Sequence, residues 1–255
     1  MNLTQELKPF KKVNVSAHSQ PVVKANSNAS KPPRTRSRGV KVESTDELRI
    51  TKNNSNGASE IDAFHYLAEE VDVFPNQGFN KPTIDVIAWN INGMRAMAKK
   101  NDLKELIHSK DPDIICFYEL KCDKYSYISQ NISKEFNFME IYPYKYFSFS
   151  QIGGYSGVAV YSKIKPLNYE FNMGHPEIDK ESRFIKLEFN TFHFISVYVP
   201  TSGENLKRLD YRIDIWDAHF RAYCARLRMS KPIVIAGDLN VAHNNIDIHN
   251  PKVSL

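Results

Sequence analysis

Long hydrophobic runs are absent from the 255-residue sequence, and so is the apolar core of an N-terminal signal peptide. A membrane-spanning helix needs about 20 consecutive apolar residues, and a secretory leader needs a shorter apolar stretch, so the sequence predicts neither. Cysteine is also scarce: Cys116, Cys122 and Cys224 form no CxxC pair. An odd number of cysteines in a chain without an export signal favours reduced thiols in an intracellular protein.

Acidic residues are nearly absent from the N-terminal part. Residues 1–41 carry nine Lys/Arg and one acid, Glu6, a charge of +8, so the remainder of this chain of net charge +5 carries −3. A basic segment predicts a polyanionic partner or nuclear import, with Lys31–Lys41 as a nuclear localisation signal or a solvated linker. A mitochondrial transit peptide is the alternative, although no arginine precedes Arg34. The slightly acidic remainder suits a site that collects a divalent cation.

The composition divides the chain into three parts. Residues 1–60 are rich in Ser, Asn, Lys and Pro and hold few aromatics, so we expect a disordered basic tail, because such a segment buries too little apolar surface to offset the entropy of ordering. Residues 61–82, which include "IDAFHYLAEEVDVF", fit either a short helix or an aromatic-bearing segment that docks on the domain. From Thr83 onward the sequence contains apolar runs bounded by turn residues, and residues 83–255 are predicted to form the catalytic domain.

Predicted strands and helices interleave in this domain. Apolar runs bounded by turn residues predict buried strands in "TIDVIAW", "DIICFYEL", "SGVAVYSK" and "KPIVIAGDLN", while "RFIKLEF" and "FHFISVYV" predict a hairpin joined by Asn190-Thr191. Apolar residues three and four apart predict a long helix over Glu204–Met229. The interleaving predicts an α/β or α+β class with layered sheets.

Polar side chains follow the ends of several predicted strands. Binding sites gather where strand ends converge, and Mg²⁺ prefers carboxylate oxygens, with one or two acids, several waters and a substrate phosphate around it. The pattern predicts metal-assisted phosphodiester hydrolysis, in which Glu119 binds the metal and Asp238 orients or deprotonates a water. Asn90, Tyr198 and Asn240 can donate hydrogen bonds to phosphate oxygens.

Five segments occur in an order that resembles a known family. They are "IAWNINGMRA", "PDIICFYELKC", "GGYSGVAVYSK", "VYVPTSGENLKRLDYRIDIWDAHF" and "GDLNVAHNNIDIHNPK". Together they resemble the exonuclease III-like apurinic/apyrimidinic endonucleases of the endonuclease/exonuclease/phosphatase superfamily, over Ile84–Lys252. The resemblance implies a four-layered α/β sandwich, two mixed sheets flanked by helices. It also implies Mg²⁺-dependent cleavage of double-stranded DNA 5′ to abasic sites in base excision repair, with Mn²⁺ as an alternative metal.

The resemblance assigns roles to individual residues. Asn90 resembles the asparagine that orients the metal-binding carboxylate, Glu119 the principal metal ligand, and Asn92 a metal-site neighbour that is Asp in some members. Tyr198 resembles a phosphate-contacting tyrosine, Asp238 the acid that activates water, and Asn240 its companion at the phosphate. Blocks that bear on DNA contact or on holding the site contribute Tyr155, Arg183 and Arg212. We expect a monomer without a membrane partner, in the nucleus or, alternatively, the mitochondrion.

Three departures from the family pattern affect these expectations. Tyr118 stands before Glu119 where the family usually has Gln, and Thr201-Ser202 follow "YVP" where an Asn and a small residue are usual. The sequence also ends at Leu255, before the Asp and Asp-His motifs that the resemblance implies at the C-terminus. We therefore expect a sandwich incomplete at its C-terminus and an impaired enzyme.

Two other readings remain open at this point. A non-catalytic nucleic-acid binder would keep the phosphate contacts and the basic tail. Another enzyme on the same scaffold, such as a lipid or inositol phosphatase or a deadenylase, would share the Asn, Glu and Asp-x-Asn residues. The segments "RLDYRIDIWDAHF" and "VAHNNIDIHNPK" favour the repair branch over the phosphatases.

Overall fold

The chain folds around two mixed β-sheets. The computed structural model describes residues 13–16, 65–71, 83–130 and 132–248. The strands are β1 (Val13–Ser16), β2 (Tyr66–Glu70), β3 (Thr83–Asn90), β4 (Ile114–Tyr118), β5 (Tyr144–Ser148), β6 (Val158–Ser162), β7 (Asn168–Glu170), β8 (Phe184–Glu188), β9 (His193–Tyr198) and β10 (Ile233–Asp238). One sheet has the order β1-β3-β4-β6-β5-β2 and the other β10-β9-β8-β7.

Each sheet contains one parallel pair among antiparallel strands. In the first sheet β3 and β4 are parallel, and in the second β9 and β10 are parallel. The hairpin predicted from "RFIKLEF" and "FHFISVYV" is confirmed as the antiparallel pair β8–β9. Strands β4 and β6 are buried on both faces, as their continuous apolar runs predict. Strand β10 was predicted to be buried but is only half-buried, because it lies at the edge of the described second sheet.

Helices cover the outer faces of the two sheets. The α-helices are α1 (Met94–Ala98), α2 (Asn101–Lys110), α3 (Lys124–Ser129), α4 (Ile132–Glu135), α5 (Pro176–Asp179) and α6 (Ala218–Leu227). The long helix predicted over Glu204–Met229 is confirmed over residues 209–227, where a π-helix at Tyr211–Asp217 runs into α6, and it is wrong at its start, where Glu204–Leu206 form a separate 3₁₀ turn. Asn205 and Leu206 have φ of 53° and 58°, left-handed values through which a right-handed helix cannot continue.

Three hydrophobic clusters fill the spaces between the layers. One lies between the first sheet and helices α1–α4, with Met94, Leu103 and Phe117 among its members. A second joins the inner faces of the two sheets, and a third packs the second sheet against Trp216 and the C-terminal helix. Helix, sheet, sheet and helix are therefore stacked, and the predicted four-layered α/β sandwich is confirmed for the described residues.

Two described segments, Val13–Ser16 and Tyr66–Glu70, test the predictions made for the N-terminal part of the chain. Of the segment 61–82, residues Tyr66–Glu70 form β2, an edge strand antiparallel to β5, so the short-helix alternative is wrong there. The predicted disordered tail at residues 1–60 lies outside the described residues except for Val13–Ser16. Those four residues pair with β3 as a strand, which corrects the prediction for them. Among the described helices, none is long and apolar enough to cross a membrane.

Candidate active site

The parallel pairs bring four polar side chains to one edge of the sandwich. Asn90 ends β3 and is paired with Tyr118, directly before Glu119. Asp238 ends β10 and is paired with Tyr198, the last residue of β9. Because parallel strands end on the same side, and because the two sheets face each other, residues far apart in sequence meet at this edge.

The side-chain amide of Asn90 joins the two carboxylates. Its Nδ2 donates to Glu119 Oε1 at 2.7 Å and to Asp238 Oδ2 at 2.9 Å, while its Oδ1 accepts from the main-chain N–H of Asn92 at 3.0 Å. An amide nitrogen has two hydrogens, so both are used inside the protein. Asn90 therefore orients the two acids. Neither of its side-chain N–H groups is left to donate to a phosphate oxygen, which was the other role expected for it.

Glu119 is held on both of its oxygens. Tyr198 donates its hydroxyl to Oε1 at 2.8 Å, and the ammonium of Lys121 lies 2.8 Å from Oε2. Burial raises the pKa of the Glu119 carboxyl, but hydrogen bonds from Asn90, Lys121 and Tyr198 outweigh it and bring the pKa below its ordinary value of 4.5. Glu119 therefore stays ionised at neutral pH. Its φ of 57° is a left-handed value, which turns the side chain at the end of β4 toward Asn90.

Arg183 contacts both the ring and the main chain of Tyr198 and so fixes its position. The guanidinium of Arg183 lies 4.5 Å from the centre of the Tyr198 ring, and its Nη1 donates to the Tyr198 carbonyl at 3.2 Å. Burial and the hydrogen bond to Glu119 raise the pKa of the Tyr198 hydroxyl above its ordinary range. The hydroxyl therefore keeps its proton at neutral pH and donates a hydrogen bond to Glu119.

Asn240 lies beside this cluster rather than inside it. Its main-chain N–H donates to Asp238 Oδ1 at 3.2 Å, and its side-chain Nδ2 donates to the Val199 carbonyl at 2.8 Å. Its φ of 47° is left-handed, so the loop after β10 turns sharply at this residue. The five polar residues predicted from separate segments thus meet at one edge of the sandwich, four of them in direct contact and Asn240 against Asp238.

The comparisons with known proteins agree with this geometry. Residues 87–254 match the model of the Endonuclease/Exonuclease/phosphatase family. The chain belongs to this family. Within it, the chain falls on the exonuclease III-like apurinic/apyrimidinic endonuclease branch, as its curated relatives show.

Two of those relatives illustrate the likeness. The chain is 44% identical over 168 residues to a zebrafish protein named DNA repair nuclease APEX1, a match that covers 66% of this chain and 52% of the relative. It is 38% identical over 169 residues to an exodeoxyribonuclease of Bacillus subtilis, covering 66% and 63%. The chain thus spans between about half and just under two thirds of the length of these relatives.

Solved structures show the same fold. The catalytic domain of Xenopus laevis APE2 is 26% identical with a TM-score of 0.50, a match that covers 62% of this chain and 59% of that one. An AP endonuclease from Archaeoglobus fulgidus has a TM-score of 0.51 at 24% identity, covering 64% and 60%, and this match speaks for the fold alone.

The two arginines predicted to bind DNA form ion pairs and hydrogen bonds within the protein. Arg183 has a side chain only 3% exposed, and it contacts Glu181 at 2.6 Å and the Tyr155 hydroxyl at 2.7 Å. Arg212 binds Asp217 at 2.9 Å and donates to the carbonyls of Pro200, Leu239 and Asn240. Direct contact of these arginines with DNA stays a prediction. The observed contacts show that both arginines fix the loops on which the site residues lie.

Sequence reasoning missed three residues that complete the site. Lys121 contacts Glu119, while Arg208 and Glu181 enclose the Tyr155 hydroxyl together with Arg183. The side chain of Arg208 is 33% exposed, which makes it the most accessible arginine of this group. Each of the three lies within a few residues of a predicted site residue, but only the tertiary contacts distinguish them from ordinary surface charges.

The donor set at Glu119 fits a hard divalent cation. Glu119 Oε2 and Asn92 Oδ1 both point at the Lys121 ammonium, so two oxygens already converge on a positive group. Among the described residues no three His, Cys, Asp or Glu side chains gather as a metal cluster. A magnesium site of this kind does not need such a cluster, because Mg²⁺ takes one or two protein carboxylates and completes its shell with water and substrate phosphate.

Proposed function

We propose that the chain is a metal-dependent DNA phosphodiesterase that cuts double-stranded DNA 5′ to abasic sites in base excision repair. The observation that carries the proposal is the Asn90 amide, which holds Glu119 and Asp238 on one nitrogen at 2.7 and 2.9 Å. The names of the zebrafish DNA repair nuclease and of a DNA-(apurinic or apyrimidinic site) endonuclease from Dictyostelium discoideum support the reaction and the substrate.

In this proposal the two carboxylates have different roles. Glu119, with Asn92 beside it, would hold Mg²⁺, or Mn²⁺ in its place. The bound ion would neutralise negative charge that builds on the phosphate. Asp238 accepts two hydrogen bonds that fix its orientation, and in the proposal it takes the proton of the attacking water as the water oxygen bonds to phosphorus. The bond from phosphorus to the 3′-oxygen of the preceding nucleotide breaks in the same step, and that oxygen takes a proton from solvent and leaves as the 3′-hydroxyl.

The neutral side chains around the carboxylates would donate hydrogen bonds to the phosphate. Asn240 uses one of its two side-chain N–H groups on Val199, and the second can donate to a phosphate oxygen. The Tyr198 hydroxyl donates its hydrogen bond to Glu119, so a phosphate contact by Tyr198 requires the hydroxyl to turn away from that carboxylate. Fixed donors aimed at developing charge commonly contribute factors of about 10² to 10³ each.

The deciding experiment is a nicking assay on a duplex oligonucleotide that carries one abasic site. We expect Mg²⁺-dependent cleavage 5′ to that site by the 255-residue chain, none with EDTA, and a loss of about 10²- to 10³-fold for Asp238→Asn. Asp214→Asn, at an exposed position, is the matched control and should cut like the unsubstituted chain. Gel-shift binding without cutting would support the non-catalytic binder, and turnover of phosphoinositides or poly(A) would support a different enzyme on this scaffold.

The same assay tests the expected impairment of the chain. Its cleavage rate is compared with that of the zebrafish relative, of which it matches 52%. A lower rate for the chain is the result that this expectation predicts. Equal rates would show that the 255 residues suffice for full activity.

Location and assembly belong to the same proposal. The charge of +8 in residues 1–41 supports a nuclear protein, with the mitochondrion as the alternative. Imaging of the tagged full chain and of a chain without residues 1–41 tests the location. Light scattering of the purified chain tests the expected monomer.

A further inference from the structure

The oxygens proposed to hold the divalent cation already share a positive group. The Lys121 ammonium lies 2.8 Å from Glu119 Oε2 and also donates to Asn92 Oδ1. The other carboxylate oxygen, Glu119 Oε1, is occupied by neutral donors from Asn90 and Tyr198. The ammonium therefore occupies the one side of the carboxylate that faces away from these fixed donors.

The main chain places Lys121 at this position. Its N–H donates to the Ser156 carbonyl at 2.9 Å, and the N–H of Leu120 donates to the Gly157 carbonyl at 3.3 Å. Gly157 has a φ of 92°, and a Cβ there would lie 3.0 Å from the Leu120 side chain, so this contact needs glycine. The backbone on both sides of the contact is held, and any movement of the ammonium must come from the side chain.

The side chain of Lys121 has room to move. It is 36% exposed, whereas the Glu119 side chain is 19% exposed. Lysine carries its charge on a flexible four-carbon stem, and a partly exposed ion pair of this kind is weak. The ammonium can therefore leave Glu119 for solvent without any change in the backbone.

We propose that Lys121 is a resident counter-ion, which a divalent cation must displace from Glu119 and Asn92 in order to bind. The inference rests on the proposed function, because that function places the cation at these oxygens. An ammonium and a divalent ion cannot both contact Glu119 Oε2, since like charges a few ångströms apart repel strongly at a partly buried site. Lys121 thus holds the carboxylate in place before the metal arrives, and lowers the metal affinity in doing so.

The first test measures Mn²⁺ binding to the full chain without DNA, from the electron paramagnetic resonance signal of free Mn²⁺. We expect Lys121→Met, which keeps the length of the side chain and removes its charge, to bind Mn²⁺ roughly fivefold more tightly or better. Lys121→Arg keeps the charge and should bind no more tightly than the unsubstituted chain. Lys99→Met removes one charge from an exposed lysine outside the site and should leave the Kd unchanged.

The second test uses the unsubstituted chain and so does not depend on the folding of a variant. The lysines are acetylated with a water-soluble, amine-reactive acetylating reagent, with and without saturating Mn²⁺. The extent of acetylation at each lysine is followed by mass spectrometry. A released ammonium should react faster, so acetylation of Lys121 is expected to rise with Mn²⁺ while that of Lys99 stays constant. An unchanged or lower reactivity of Lys121 would overturn the inference.

The outcomes separate this inference from the proposed function. If Lys121→Met binds Mn²⁺ no more tightly than the unsubstituted chain, the displacement idea is wrong, whether or not DNA is cut. If the variant binds more tightly but neither protein nicks abasic DNA, the inference stands and the proposed reaction is wrong. If Glu119→Gln binds Mn²⁺ as well as the unsubstituted chain, the cation lies elsewhere and both fail.

Discussion

The hydroxyl of Tyr118 donates to the main-chain carbonyl of Ala236 at 2.9 Å, across the space between the two sheets. Tyr118 is the last residue of β4, directly before Glu119, and Ala236 lies two residues before Asp238 in β10. This bond therefore joins the strand that carries one carboxylate to the strand that carries the other. Tyr118 packs with 1% exposure and supplies a link between the sheets.

Removal of this hydroxyl should destabilise the protein. In Tyr118→Phe the ring is kept, but the Ala236 carbonyl and the Ser196 hydroxyl lose a buried partner. We expect the free energy of unfolding to fall by about 1–3 kcal/mol, measured by urea denaturation. Tyr125→Phe, at a ring that is 76% exposed, is the control and should change it little. Equal stability of the two variants would show that the bond between the sheets contributes nothing.

The lowered pKa of Glu119 makes a prediction about acid stability. Because the pKa is lower in the folded protein than its ordinary value of 4.5, Glu119 contributes stability that is present above that value. This contribution is lost as the pH falls from about 4.5 through the folded-state pKa. Glu119→Gln cannot titrate, so the stability difference between the original chain and the variant should shrink over this acidic range. Urea unfolding of both proteins at several pH values measures it, and a difference independent of pH would contradict the assigned direction.

Arg212 is expected to hold the two loops that follow β9 and β10. Its guanidinium donates to the carbonyls of Pro200 and Leu239, at 2.6 and 3.0 Å, and the side chain is only 11% exposed. Arg212→Met should lower the unfolding free energy by about 1–3 kcal/mol and slow nicking, because the carbonyls of Pro200 and Leu239 lose a charged donor and the loop with Asn240 loosens. Arg221→Met, at an exposed position of α6, is the matched control. A loss of nicking without a loss of stability would instead indicate direct contact with DNA.

The basic N-terminal segment should govern the salt dependence of DNA binding. Residues 1–41 carry a charge of +8, and each neutralised phosphate releases counter-ions and steepens the fall of affinity with salt. Replacement of Lys31, Arg34, Arg36, Arg38 and Lys41 by Gln leaves β1 in place and removes five positive charges. It should therefore flatten the plot of log affinity against log salt, measured by fluorescence anisotropy, and leave nicking at low salt in place. Loss of nicking at low salt would show that the segment also takes part in the site.

Much of this protein follows from local sequence patterns. Continuous apolar runs determine β4 and β6, since a strand covered on both faces needs apolar side chains at every position. The apolar runs on either side of Asn190-Thr191 determine the β8–β9 hairpin. Polar residues at the ends of apolar strands, among them Asn90 and Asp238, identify the candidate site, because such residues are needed only where strand ends face substrate or solvent.

Other features were decided by contacts between distant parts of the chain. Apolar spacing predicted a continuous helix from Glu204, but the left-handed backbone at Asn205 and Leu206 breaks it, and spacing carries no information on φ. Residues Tyr66–Glu70 became an edge strand because β5 offered its free hydrogen-bonding groups, which no property of the segment itself revealed.

The sequence by itself determined which chemical groups this protein has and that they stand at strand ends. Only the tertiary structure decided which of them touch: Asn90 reaches Asp238 across 148 residues, and Lys121 rather than an acid stands beside Glu119. The physical reason is that strand patterns depend on neighbours one or two residues away, whereas hydrogen bonds and ion pairs depend on distances of about 3 Å between elements whose packing involves the whole chain.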